Sequence, residues 1–151
     1  MILRLLTVLL IYGFVRGKPF LDDFKTKSLT VDIRGRLLCN GEAMASTRVF
    51  LYDEDRFVDE FMSVATTNNN GYFKAKGKAK DSDGKIEPVI MFYHKCSVYI
   101  KPKFLCDLRT RVFLDQDVVN NPMMDVGTID VADWKSTTKE HCSWLRWFLP
   151  A

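Results

Sequence analysis

Four cysteines, Cys39, Cys96, Cys106 and Cys142, are the residues of this 151-residue chain best able to form bonds of their own. A thiolate can bind zinc or attack an electrophile, and two thiols can oxidise to a disulfide, so spacing and compartment decide between these uses. His94 stands two residues before Cys96 and His141 directly precedes Cys142, but neither pair repeats the spacing of a zinc finger or ribbon. An even cysteine count behind a secretory leader reads as two disulfides. The short separation of Cys96 and Cys106 predicts a local clip across a loop, which leaves Cys39 to pair with Cys142 and tie the C-terminal stretch to the domain. His94 and His141 are the only two histidines, and neither sits in a nucleophile elbow. Phosphate-loop and dinucleotide glycine motifs are absent too, so no enzyme, metal or cofactor is predicted.

Three charged or apolar clusters remain as candidates for binding. The acids Asp53, Glu54, Asp55, Asp59 and Glu60 lack the ligand spacing and central glycine of a hand-type calcium loop and read as a solvated loop. Lys74, Lys76, Lys78 and Lys80 recur at every second position from Tyr72 onward, so an extended chain projects them to one side as a basic stripe. Such a stripe suits anionic lipid headgroups or an acidic receptor, and it also suits a solvent-facing edge strand protected from aggregation. Trp144 and Trp147, in the string Trp144-Leu145-Arg146-Trp147-Phe148-Leu149, form the third cluster. These two tryptophans suit a membrane interface, or the string folds back over the domain pinned by Cys142.

The elements that must position these side chains are strands. Between residues 28 and 132 apolar residues alternate at period two in short runs separated by Gly, Asn, Asp and Pro. Val31, Ile33, Leu37 and Cys39 share one face of a first strand, with Asp32, Arg34 and Arg36 on the other. Further strands are predicted at about 47–52, 61–67, 72–76, 89–94, 98–100, 111–114 and 126–131. Asn70-Gly71 predicts a tight hairpin into Tyr72. Val89 to His94, apolar on both faces, belongs at the centre of a sheet. The expectation is an all-β, disulfide-bonded antiparallel sandwich of about seven strands.

Arg4 followed by the apolar run Leu5 to Val15 marks residues 1–17 as a signal peptide, too short to span a bilayer. Residues 18–28 are then an N-terminal extension, 29–132 the sandwich domain and 133–151 a C-terminal tail carrying Cys142. Without Arg4 and Arg16 the 22 basic residues fall to 20 against 19 acidic ones, a balance that speaks against a nucleic-acid binder. The expected protein is secreted, extracellular and not membrane-spanning.

Five strings in order carry a resemblance. They are Gly35-Arg36-Leu37-Leu38-Cys39-Asn40-Gly41, Val49-Phe50-Leu51-Tyr52-Asp53-Glu54-Asp55, Asn70-Gly71-Tyr72-Phe73, Phe92-Tyr93-His94-Lys95-Cys96 and Asp125-Val126-Gly127-Thr128-Ile129. Together they resemble the nematode transthyretin-like family over roughly Val31 to Val131. The resemblance implies a transthyretin-like β-sandwich, secretion, and a binding role that includes bridging phosphatidylserine on dying cells to a cell-surface receptor. The alternative it implies is a carrier of a small apolar ligand or hormone. Hydroxyisourate hydrolases of this fold end in Tyr-Arg-Gly-Ser, a pattern from which Trp147-Phe148-Leu149-Pro150-Ala151 departs.

Overall fold

The computed structural model describes residues 27–80, 84–96 and 106–142. The leader, the strand expected at 98–100 and the tryptophans Trp144 and Trp147 lie outside the described residues. Nine strands are found among those described: β1 Leu29–Cys39, β2 Glu42–Ala43, β3 Arg48–Asp53, β4 Glu60–Thr66, β5 Tyr72–Ala79, β6 Pro88–His94, β7 Cys106–Phe113, β8 Met124–Asp130 and β9 Thr138–Cys142. They form two sheets. In the four-stranded sheet β1 pairs antiparallel with β2 and β5 and parallel with β8, and the five-stranded sheet runs β4-β3-β6-β7-β9.

Alternation decides which face of each strand meets the other sheet. β1 turns Val31, Ile33 and Leu37 inward, β5 turns Phe73, Ala75 and Ala79, and these pack on Val49 and Leu51 of β3, Ile90 and Phe92 of β6 and Val112 of β7. Phe92, with no exposed surface, contributes about 2–3 kcal/mol by leaving water. β6 lies between β3 and β7 in the middle of its sheet, as its continuous apolar run requires. Residues beyond Asp133, read from the sequence as a tail, supply the edge strand β9.

Two expectations are corrected. The turn at Asn70-Gly71 is present, with Gly71 at φ +82° and its N–H donated to the Asn68 carbonyl. The strands it joins, however, are not a hairpin: β4 pairs with β3, whereas β5 crosses to the other sheet and pairs with β1 from Leu29↔Ala79 to Arg36↔Tyr72. Leu37 N–H donates to the Gly71 carbonyl at 2.9 Å, which anchors the crossing strand to β1. A Cβ at residue 71 would collide with the Leu37 carbonyl oxygen, so glycine is required there by both φ and space.

The second correction concerns the cysteines. All four are disulfide-bonded, but as Cys39–Cys96 and Cys106–Cys142, not as the Cys96–Cys106 clip and Cys39–Cys142 tie that chain separation predicts. The register explains it. Cys106 and Cys142 stand directly opposite each other on β7 and β9, while Cys39 ends β1 in one sheet and Cys96 follows β6 in the other. One bridge therefore staples the edge strand to its neighbour and the other joins the two sheets. Glu140 lies close to Cys106 and Cys142, but their sulfurs are bonded to each other and offer no thiolate.

Candidate functional site

The outer face of the four-stranded sheet collects the charges that alternation drives away from the core. β5 exposes Tyr72, Lys74, Lys76 and Lys78 while burying every residue between them, and Lys80 just beyond is exposed as well. The predicted stripe therefore exists as a row, but β1 alters its electrostatics. Register sets Asp32 opposite Lys76, Arg34 opposite Lys74 and Arg36 opposite Tyr72. Lys76 Nζ forms an ion pair with Asp32 at 2.6 Å. Lys74 has no ion-pair partner among the described residues and faces a like charge across the ladder, an arrangement that is unfavourable until an anion relieves it.

Arg34 and Arg36 are held on this face from below and from both sides. Between them Gly35 is buried, and a Cβ there would stand 2.8 Å from Val126 Cγ2 and 3.0 Å from Phe73 Cζ. The β1–β8 register shifts at this point, passing from Arg34↔Asp125 to Arg36↔Thr128, so the glycine admits a bulge that carries Gly127 at φ +77°. Arg34 Nε donates to Asp125 Oδ2 at 3.0 Å. Arg36 Nε donates to the Asn70 carbonyl at 2.8 Å, and its guanidinium lies 5.2 Å from the centre of the Tyr72 ring, within cation–π range.

These side chains frame an open groove of about 870 Å³, lined by Arg34, Arg36, Tyr72, Lys74, Asp125 and Thr128 with Thr66 and Asn68 at its rim. Three cations face the one carboxylate of Asp125. The Gly127 N–H bonded to Asp125, and to a lesser degree Arg34, hold that carboxyl below the usual aspartate range. The groove is thus a cationic cleft with an aromatic wall, suited chemically to a phosphate or carboxylate group. Of the residues expected to bind, Lys74 is brought into it, whereas Lys76 and Lys78 lie further along β5 and Lys80 donates its N–H to Glu60 Oε2 at 3.3 Å. Trp144 and Trp147 lie outside the described residues. Arg34 and Arg36 were missed as binding residues, although their alternation with Asp32 was the signal that placed them on the outer face.

His94 is occupied structurally. Its Nδ1 accepts the Cys96 N–H at 3.2 Å, which leaves Nε2 as donor to Thr110 Oγ1 at 2.8 Å. Thr110 in turn donates to Thr138 Oγ1, and Thr138 donates to the Trp134 carbonyl at 2.8 Å. Burial pushes the His94 pKa down to about 4, with the Asp107 carboxylate opposing the shift. The acidic loop is also partly engaged, because Arg111 pairs with Glu54 at 3.2 Å and Asp59 at 3.0 Å.

Comparison with known proteins matches residues 34–114, more than half of the chain, to the model of a transthyretin-like family. Transthyretin-like protein 5 of Caenorhabditis elegans is 33% identical over 107 residues, covering 66% of this chain and 74% of its own length. Transthyretin-like protein 33 of the same organism is 29% identical over 66% of this chain and 71% of its own. Transthyretin-like protein 2, also from Caenorhabditis elegans, is 27% identical over 73% of this chain and 80% of its own.

Proposed function

This chain belongs to the transthyretin-like family, and from that premise we propose that it is a secreted binding module whose cationic groove engages anionic lipid headgroups, phosphatidylserine among them, and presents them to a cell-surface receptor. The two disulfides accord with an oxidising, extracellular setting, and no helix among the described residues is long and apolar enough to cross a membrane. The observation that carries the reading is the juxtaposition of Lys74 and Arg34 across the β1–β5 ladder beside Arg36. Each such cation near an anionic surface contributes about 1 kcal/mol, and the effect falls off within a Debye length.

Vesicle co-sedimentation of the disulfide-bonded full chain tests the proposal. Binding to phosphatidylserine-containing but not phosphatidylcholine vesicles, weakened by salt and by Lys74→Glu, is the expected result. Equal binding to both vesicles, or none, rejects it. A second reading, a carrier of a small apolar ligand, has one observation in its favour. Leu114, Met124, Val126 and Trp134, with Asp115, Asp117 and Asp125 among them, line an open groove of about 340 Å³ at the seam between β7 and β8, near the lower size limit for small-molecule sites. Saturable enhancement of an apolar fluorescent probe, lost in Trp134→Ser, supports that reading in place of the first.

A further inference from the structure

The outer face of the five-stranded sheet carries a groove of its own, on the other side of the sandwich from the cationic cleft. It is open and holds about 430 Å³, within the range of about 300–1,000 Å³ found for small-ligand sites. Tyr93 and Phe50, whose rings meet edge to face at 6.1 Å, line it together with Arg48, Asp107 and His141. Ser46 and Thr47 complete the lining where the chain enters β3. Polar side chains thus gather around an aromatic ring, the reverse of a site built for an apolar ligand.

Strand geometry explains how these residues come together. Tyr93 and Asp107 face outward because their neighbours Phe92, His94, Cys106 and Leu108 are buried. Register sets Asp107 directly opposite His141, and Arg109 directly opposite both Tyr93 and Lys139. The Cys106–Cys142 bridge joins the residues next to Asp107 and His141, so the edge strand is tied down at this end, and the His141 ring lies 5.0 Å from that of Tyr93. Ser46 sits in its turn at φ +54°, a conformation uncommon for a residue with a side chain. Its hydroxyl makes no hydrogen bond among the described residues.

The charges here are unevenly matched. Asp107 pairs with Lys95 Nζ at 3.0 Å, and Glu140, opposite the buried Leu108, belongs to the other face of β9. Arg48, Arg109 and Lys139 have no ion-pair partner among the described residues. Arg109 and Lys139 also stand side by side across the ladder, an unfavourable arrangement that a bound anion relieves. The groove and its flank therefore combine an excess of cations with a carboxylate, an imidazole and hydroxyls.

We infer that this groove binds an acidic glycan and seats one uronate sugar against Tyr93. The sugar carboxylate meets the Arg48 guanidinium in a charge-assisted pair. Its ring hydroxyls, each both donor and acceptor, meet Asp107, His141 and Ser46, and its apolar C–H face lies on the Tyr93 ring. Arg109 and Lys139, on strands about 4.8 Å apart, take a sulfate of the neighbouring sugar. An acidic peptide supplies carboxylates without such a set of hydroxyls, and a membrane surface supplies no ring to fill a groove. The site lies on the opposite sheet from the lipid-binding cleft and stands whether or not that cleft binds lipid.

Calorimetric titration of the disulfide-bonded full chain with a chondroitin sulfate hexasaccharide is the test. The same oligosaccharide is used with its carboxylates reduced to alcohols, and again with its sulfates removed. Saturable binding to the unmodified glycan is expected, weakened about tenfold by Arg48→Ala, as for the loss of a hydrogen bond to a charged group. Carboxyl reduction should cost a similar factor and leave Arg48→Ala without further effect, because the two changes remove one interaction. Sulfate removal should in the same way cancel the weakening caused by Arg109→Ala with Lys139→Ala. Tyr93→Leu changes no charge and should still weaken binding. Backbone NMR shifts of the unmodified chain give a readout independent of any variant, and those of Arg48, Tyr93, Asp107 and His141 should move on titration. Absence of saturable binding overturns the inference, as do shifts confined to the other sheet. An Arg48→Ala effect that survives carboxyl reduction, or indifference to Tyr93→Leu, overturns it as well by leaving only diffuse charge attraction. Tighter binding of a polyglutamate peptide than of the glycan would make the partner an acidic peptide instead.

Discussion

Cys39 and Cys96 join the two sheets of the sandwich, linking the end of β1 to the residue two past the end of β6 with a sequence separation of 57. The bridge is placed where each strand leaves its own sheet, so it closes one end of the core above Leu37 and Phe92 rather than clipping a local loop. His94 lies two residues away and accepts the Cys96 N–H, which couples the bridge to the buried hydroxyl chain through Thr110 and Thr138.

Replacing Cys39 and Cys96 together by serine should lower stability by about 2–4 kcal/mol, because a loop of this length is freed in the unfolded chain. Chemical denaturation of the doubly substituted protein measures the loss. Peptide mapping without reduction should recover Cys39 with Cys96 and Cys106 with Cys142, and a Cys96–Cys106 peptide would contradict the pairing.

His94 predicts the direction of acid sensitivity. Its pKa is pushed down to about 4 by burial, against about 6.5 in an unfolded chain. Between those values the unfolded chain binds more protons than the folded one, so stability rises with pH across the window and is lost as pH falls from 6.5 toward 4. The expected loss is about 1–2 kcal/mol, reduced by solvent reaching part of the ring. His94→Gln, which keeps a donor for Thr110 but cannot titrate, should flatten the stability profile between pH 4 and 6.5. Matching slopes in both proteins would remove His94 from the explanation.

How much of this was legible in the sequence depends on which distances matter. Alternation in Val31, Ile33 and Leu37, or in Tyr72 to Lys80, is local, and it correctly assigned inward and outward faces. The partner of each strand is not local. Nothing in Asn70-Gly71 distinguishes a hairpin from a crossing between sheets, because the turn chemistry is the same and only the long β1–β5 ladder decides. The disulfide pairing failed for the same reason, since proximity along the chain was taken for proximity in space. Lys74 was legible as a surface cation, but its position opposite Arg34 required the register.

Gly77 tests a close approach between the sheets. A Cβ at this residue would stand 2.6 Å from Met62 Cβ and 3.0 Å from the Met62 carbonyl carbon, so β5 and β4 can pass this closely only without a side chain. Gly77→Ala should cost about 1–3 kcal/mol as the strands separate. Thermal unfolding would reveal it, and an unchanged midpoint would mean that β4 yields without cost.

Asp130 should matter more than its surface position suggests. Burial alone would raise its carboxyl pKa, but N–H groups of Ala132, Gly41 and Asn40 outweigh that and hold it below the usual range. Its oxygens accept from Asn40 at 2.9 Å and Gly41 at 2.6 Å, fastening the β1–β2 turn to the end of β8. This contribution is present above the ordinary carboxylate pKa and disappears as acid protonates the folded group. Asp130→Ala should cost about 1–2 kcal/mol and speed hydrogen exchange at Asn40 and Gly41. If those amides stay protected, another acceptor holds the turn.

The lysines of β5 should not be equivalent. Lys76 is neutralised by Asp32 at 2.6 Å, whereas Lys74 shares the groove with Arg34 and Arg36. Single replacement by alanine should therefore weaken binding to phosphatidylserine-containing vesicles about fivefold for Lys74, following the roughly 1 kcal/mol that a cation contributes at an anionic surface. Lys76→Ala exposes the Asp32 carboxylate, and Asp32→Ala releases Lys76. The second change should strengthen binding, with both effects shrinking as salt is raised. Equal weakening by Lys74→Ala and Lys76→Ala, with no gain from Asp32→Ala, would mean that the lysines act as a diffuse stripe and that the groove confers no selectivity among them.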